Sequence, residues 1–312
     1  MATTKKNIVN TPLYFTLIII TCTLWGSAFA GAKIGFQYCS PVMLSGLRFS
    51  LAGLLLLPVL LMGKQPFFSM FKHWRYMLLF GFIQTFLQYG LFFLGLNEVP
   101  GAVASIIVGA GPVFITILAH FTISDDRFTT KKIVASILGF SGIIFIALTN
   151  GEIDTTSSNF YYGIALLVIS NVVGATTNII VKKQQHLNVS PIALTSMANF
   201  SGGVMLLVAA FLFEPITINN PPIEFYFALL WLAIIPAAGF SIWYYLLNLD
   251  GVKVSELNIW KFIIPIVGSI LSWILLKGED PRWQEIVGIM IITTAIIVLQ
   301  YSPKKRANKS AK

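Results

Sequence analysis

Residues 97–112 read NEVPGAVASIIVGAGP, and residues 250–265 read DGVKVSELNIWKFIIP. Each stretch opens in a turn, runs into an apolar segment and reaches a proline at its last position. An offset of 153 lays Asn97 on Asp250, Ser105 on Asn258 and Pro112 on Pro265. The same offset carries the turn Ser124-Asp125-Asp126-Arg127 onto Lys277-Gly278-Glu279-Asp280. The chain thus reads as one plan used twice, alike in its punctuation more than in its identities.

Outside these stretches the sequence is dominated by apolar runs. It is 56% hydrophobic and 11% charged over 312 residues, whereas charged residues make up roughly a quarter of a water-soluble chain. The solvent for most of its surface must be lipid. The runs approach twenty residues, enough for a helix to cross a ~30 Å hydrocarbon core, and they do not alternate polar with apolar as membrane strands would. They predict helices over Leu13–Lys33, Pro41–Met62, Trp74–Leu94, Ala102–Phe121, Lys132–Leu148, Phe160–Val181, Pro191–Phe213, Phe225–Leu247, Val254–Leu276 and Trp283–Leu299. Short Pro, Gly and Asn turns separate them, so sequential helices should pack antiparallel.

Five spans per copy is an odd number, so the second copy enters the membrane in the opposite orientation, as in many secondary transporters. The expected fold class is therefore an all-α integral membrane protein of ten transmembrane helices in two inverted five-helix repeats. The repeats are residues 10–150 and 158–301, followed by a basic tail at 302–312.

The cations support this topology. Alternate connections carry Lys5 and Lys6, then Lys64, Lys72 and Arg75, then Arg127, Lys131 and Lys132. The same side receives Lys182, Lys183, Lys253 and the five cations of the tail, whereas the other side receives only Lys277 and Arg282. The positive-inside rule then places both termini in the cytoplasm. This distribution also accounts for the net charge of +9 without a nucleic-acid partner, which would need a basic face on a soluble surface. Lys5 and Lys6 ahead of an apolar run ending in Ala28-Phe29-Ala30 mimic a signal peptide, but the run is too long and leads through Trp25-Gly26 into Lys33, so it reads as the first span. Cys22 and Cys39 are too few for a disulfide framework and lack metal-ligand spacing, and no metal or other cofactor is expected.

The residues resemble the EamA-like group of the drug/metabolite transporter superfamily over about residues 10–301. The likeness rests on Trp25-Gly26 with Lys33, on Arg48-Phe49, on Gly101-Ala102-Val103-Ala104-Ser105 leading to Pro112, and on Asp125-Asp126-Arg127-Phe128, where the family often has a Gly-Glu-Arg-Leu turn. A second copy runs from Asp250-Gly251-Val252-Lys253-Val254-Ser255 through Pro265 to Lys277-Gly278-Glu279-Asp280-Pro281. Asp125 in place of the first turn's glycine and Asp280 in place of the second turn's arginine are departures at what read as surface turns. The resemblance implies a carrier of small metabolites, often amino acids leaving the cell, in a bacterial inner membrane, and it fixes no substrate.

Polar groups inside hydrocarbon cost enough to mark a pathway. Arg48 lies seven residues into the second helix, and Lys261 lies beside Trp260 in the ninth, four residues before Pro265. Lys33 ends the first helix, where snorkelling accounts for it. Gln84 and Gln88 share a helical face by i, i+4 spacing, with Tyr89 adjacent. Asn171 and Asn178 share a face, as do Ser196 and Asn199, and with Trp243, Tyr244 and Asn258 they can line a polar and aromatic cavity or serve helix packing. Pro112 and Pro265 each delete a helical hydrogen bond at matched places, the sequence pointer to a transport site in a repeat carrier.

All 12 acidic residues fall in loops or near helix ends, with Glu256, Asp250 and Glu285 nearest the membrane. Fixed cations without a membrane carboxylate suit a carboxylate-bearing or zwitterionic solute, its apolar part covered by aromatic rings. The alternative is an organic-cation or drug efflux carrier of the same fold. A membrane enzyme would need a constellation that His73, His120 and His186 do not form, and no H-E-x-x-H or G-x-S-x-G motif occurs. The expected partners are a small-molecule solute and the bilayer; a coupling ion and a homodimer are left open.

Overall fold

The computed structural model describes residues 8–9, 11–35, 37–63, 71–99, 104, 107–149, 159–214, 221–275 and 283–300. The Lys33 and Asn97 side chains, Ser105, the turn at 277–281 and the basic tail lie outside the described residues.

The described chain is helical, with no strand. Helix α1 spans Pro12–Gly35, α2 Pro41–Leu55 and α3 Leu57–Leu61. Next come α4 Trp74–Gly81, a π-helical segment Phe82–Leu87 and α5 Gln88–Glu98. Helices α6 Gly111–Thr122 and α7 Thr130–Thr149 follow. The rest comprises α8 Phe160–Lys183, α9 Pro191–Phe213, α10 Ile223–Leu247, α11 Val254–Ile259, α12 Ile263–Leu275 and α13 Trp283–Gln300. Proline at the first turn starts α2, α6 and α9, where its missing N–H has no helical acceptor to lose.

Among the described residues, five helices are long and apolar enough to cross a membrane: 41–61, 74–96, 160–183, 191–213 and 223–247. Shorter apolar helices cover 12–28, 107–122 and 285–300. Large apolar side chains such as Phe121, Tyr161, Phe211, Phe213 and Ile274 stand exposed on the outside, as lipid-facing side chains would.

The helix pairings repeat between the two halves. The first helix of each half packs on the third of the other, α1 against α10 and α8 against α5. Likewise α1 packs on α12 and α8 on α6, while α2 crosses α9 and α7 crosses α13. The α2–α9 crossing is set by Gly53 and Gly203, which stand 150 positions apart in sequence. A Cβ on Gly53 would meet the backbone of Phe200 and Ser196, and one on Gly203 would meet the backbone of Ser50. Ser196 donates its hydroxyl to the Gly53 carbonyl at 2.8 Å across the same contact. Gly203→Val is expected to push the two helices apart and cost about 1–3 kcal/mol, the usual penalty of overpacking, read from unfolding in mixed micelles. Gly90→Ala serves as the control, since its nearest neighbour would stand at 3.8 Å.

Four spans differ from the unbroken helices their hydropathy predicts, the second by the turn at Leu56 that separates α2 from α3. The third contains the π-helical segment, whose wider turn rotates everything after it. The fourth is interrupted by a turn at Ala110, so Pro112 starts a helix instead of kinking one. The ninth is divided by a 3-10 turn, Trp260–Phe262, just ahead of Pro265. Hydropathy is blind to all four, because a break inside an apolar run leaves the run's composition unchanged. Pro236 inside α10, which drew no notice in the sequence, is buried there.

Candidate substrate pathway

The two broken spans carry the same contact twice. In the fourth, Asn171 of α8 donates its amide to the Ile107 carbonyl at the start of the break. In the ninth, Cys22 of α1 donates its thiol to the Trp260 carbonyl at 3.5 Å. Ile107 and Trp260 are related by the offset of 153, and Cys22 and Asn171 stand 149 apart. The large and small partners at the neighbouring crossings are exchanged between the halves. The Trp25 indole lies against Gly239, while Gln88 lies against Gly174. A broken helix propped by the other half's first helix is how a membrane protein tolerates irregular backbone at depth.

Among the described residues, each half holds one cation inside a span on aromatic faces. The Arg48 guanidinium lies 4.6 Å from the Phe49 ring centroid, 5.4 Å from Tyr89 and 5.8 Å from Phe93. Its Nε is buried without a hydrogen-bond partner. The Lys261 ammonium, on the 3-10 turn, stands 4.7 Å from the Trp243 ring and 5.2 Å from Trp25. Neither cation is ion-paired among the described residues. Cation–π contacts of this kind contribute about 0.5–2 kcal/mol, less than a paired carboxylate would, so both charges are held yet remain available.

The other expected residues fall into separate groups. Trp243 is fixed by its indole N–H, which donates to Asn178 Oδ1 at 3.0 Å, and Asn178 in turn donates to the Gly174 carbonyl at 2.8 Å. Trp25 packs on Trp243 at 5.1 Å and on Phe240 at 5.6 Å, completing an aromatic enclosure around Lys261. Tyr244 stacks on Phe240 and meets Phe80 edge-on. Asn258 donates to the Val254 carbonyl at 2.8 Å and leaves its Oδ1 buried without a partner.

Gln84 and Gln88 have different surroundings. Gln84 is buried, accepting from Thr85 at 2.8 Å with its amide nitrogen unpartnered, whereas the Gln88 side chain packs against Gly174. Asn199 is fully buried with neither amide atom partnered. Lys261, Trp243 and Asn178 therefore form one connected set, Arg48 and Tyr89 a second, and Asn171 with the Pro112 turn a third.

Two carboxylates act where the sequence shows only loops. Asp126, read as part of a surface turn, is 1% exposed. It binds the equally buried Lys132 at 2.5 Å and accepts from both the backbone N–H and the hydroxyl of Ser255 in α11. Lys132 also donates to the Arg127 carbonyl at 3.0 Å and approaches Glu256 at 3.9 Å. A cavity of 270 Å³ opens beside this network, lined by Tyr14, Thr129, Lys131, Lys253, Glu256 and Trp260 among others. Elsewhere, Glu214 at the end of α9 caps the start of α2, accepting from Ser40 at 2.5 Å and from the N–H groups of Val42 and Met43. Each carboxylate thus sits at a helix N-terminus of the opposite half, where the dipole favours negative charge. The available sequence signal was a Ser or Ser-Pro helix start in one half facing an acidic turn in the other.

Long apolar helices, matched breaks and two cations held on aromatic faces, one of them on a break, are the features of a multi-pass membrane transporter. The EamA-like transporter family model matches the chain twice, over residues 13–148 and 161–301, and the chain belongs to that family, part of the drug/metabolite transporter superfamily. An uncharacterized transporter of Archaeoglobus fulgidus is 26% identical over 91% of this chain and 97% of its own length. The S-adenosylmethionine/S-adenosylhomocysteine transporter of Chlamydia muridarum is 25% identical over 93% of each chain. A solved crystal structure shares the fold at a TM-score of 0.77 and 15% identity, covering 92% of this chain and 96% of that one.

Proposed function

We propose that the protein is an alternating-access exporter of amino acids or related carboxylate-bearing solutes. Its ten spans form two inverted repeats, 10–150 and 158–301, with both termini in the cytoplasm of a bacterial inner membrane. The observation that carries this reading is the pair of unpaired cations on aromatic faces, one per half, with Lys261 on the broken ninth span itself. A cation in hydrocarbon is retained at a cost of about 2.5–3.5 kcal/mol on insertion scales, so it needs a partner during part of the cycle, and a solute carboxylate supplies one. The breaks supply hinges about which one half can rock against the other.

The test is thermal unfolding of the purified protein in detergent against pools of amino acids, organic acids, nucleosides, sugars and organic cations. A ligand at one hundred times its Kd adds about 2.7 kcal/mol, a readable shift in Tm. Stabilisation by amino or organic acids, lost in Arg48→Ala, is the expected result. One relative is named a transporter of S-adenosylmethionine and S-adenosylhomocysteine, the first of which is a sulfonium cation, and the Trp25–Trp243 enclosure is the kind of surface that takes a cation. Stabilisation by organic cations alone would establish that second reading and end the carboxylate one.

A further inference from the structure

We propose that Lys261 is the coupling residue of this carrier: its ammonium holds the Trp25–Trp243 enclosure in the empty protein, and the ammonium of the solute displaces it in exchange for one proton. The inference rests on the zwitterionic form of the solute proposed above and assigns its two ends to different cations.

Both intramembrane cations lie on aromatic rings without a carboxylate, yet they are chemically unequal. Arg48 is a guanidinium that keeps its proton throughout, and it presents a buried Nε with no partner, a donor waiting for an acceptor. Lys261 is an amine that can give its proton up. A solute carboxylate satisfies Arg48 whichever way the carrier faces. The enclosure is electron-rich and suited to an ammonium, and the one already there is tethered to the chain through the 3-10 turn.

When the solute's ammonium enters, two like charges come within a few ångströms of each other in a low-dielectric site. The amine that can deprotonate does so. One N–H bond of Lys261 breaks, its electron pair stays on the nitrogen, and the proton passes to cytoplasmic water. After the solute leaves on the other side, the free amine takes a proton there and returns to the rings. The cycle moves one proton in for each zwitterion out, which is net export driven by the proton gradient.

The groups around Lys261 leave it as the titrating site. On α1 the nearest is Cys22, whose thiol donates to the Trp260 carbonyl, with Tyr14 lining the cavity beside Trp260; on α10 the residue next to Trp243 is Tyr244. On α11, Glu256 and Lys253 pair with each other at 3.7 Å, and Glu256 also faces Lys132. Helix α12 brings no titratable side chain. The equivalent position in the first half is Val108, so the device is present once per carrier.

The experiment measures proton release from purified protein in weakly buffered detergent with a pH indicator, on addition of pooled amino acids and, separately, of phenethylamine, an ammonium without a carboxylate. Binding is followed in parallel by thermal unfolding. The expected result is about one proton released per protein for both probes, release by phenethylamine alone in Arg48→Gln, and none in Lys261→Arg or Lys261→Gln. Lys261→Gln should still bind both probes, which separates a lost proton from a lost fold. Stabilisation of the wild type by amino acids without proton release would overturn the coupling role and leave the substrate reading standing. Absence of stabilisation by either probe would overturn both, and release by phenethylamine without any effect of amino acids would keep the exchange and remove the zwitterion.

Discussion

Asp126→Ala is expected to destabilise the protein by about 3–5 kcal/mol, because it strands the Lys132 ammonium, 1% exposed, without its counter-charge. The same change deletes two hydrogen bonds at the start of α11, those from the Ser255 backbone and hydroxyl. Adding Lys132→Met should recover most of the loss, since removing both members of a buried pair is often near neutral. A residue of about 1 kcal/mol should persist, the usual weight of a lost helix cap. Unfolding of the wild type, both single variants and the double variant in mixed micelles closes the double-mutant cycle. A single-variant loss under about 1 kcal/mol would mean that Lys132 is rehydrated from the adjoining cavity and that the pair ties nothing together. The placement matters beyond stability. Asp126 belongs to the first half and Ser255 to the second, so a rocking motion that opens this face must break the contact.

The sequence makes the membrane class plain because composition and run length are summed properties, insensitive to the state of any one turn. The matched prolines fall in two of the spans that the structure interrupts, and for a physical reason: both follow a place where the helical hydrogen-bond pattern changes. What they mark is the start of a half-helix after the break, at Ala110 and at Trp260–Phe262, and not a kink within a continuous rod. The wider winding of Phe82–Leu87 still leaves Gln84 and Gln88 on one side of the third span, but the sequence gives no sign of the π turn or of what each amide meets. Arg48, Lys261, Trp243 and Asn178 were legible one by one as costly polar or aromatic groups in apolar runs. Their grouping was not, since which rings a cation meets depends on helices far apart in sequence, as Trp25 and Lys261 are. Asp126 was misplaced for a related reason: a charged turn looks solvated until the other half's helix is set on top of it.

Arg48→Gln should raise the half-saturating concentration of the transported solute by at least thirtyfold. If Arg48 binds the solute carboxylate, the change replaces a charge-assisted bond with a neutral one in a desolvated site, a loss of about 2–5 kcal/mol, and each 1.4 kcal/mol is about tenfold in affinity. Arg48→Lys should fall between, by about tenfold, because it keeps the charge but gives up the planar fork and its stacking on Phe49 and Tyr89. Counterflow in proteoliposomes, with the solute that stabilises the wild type, measures both without reference to any gradient. Maximal rate should change little in Arg48→Lys, since the charge that the carrier must neutralise before it reorients is still present. Unchanged counterflow in Arg48→Gln would show that the guanidinium serves only packing against its three rings, and the carboxylate assignment would go with it. The ordering of the two variants decides what kind of contact is made. Equal losses point to bidentate, planar recognition that an ammonium cannot imitate, and a mild Arg48→Lys points to a point charge opposite the solute.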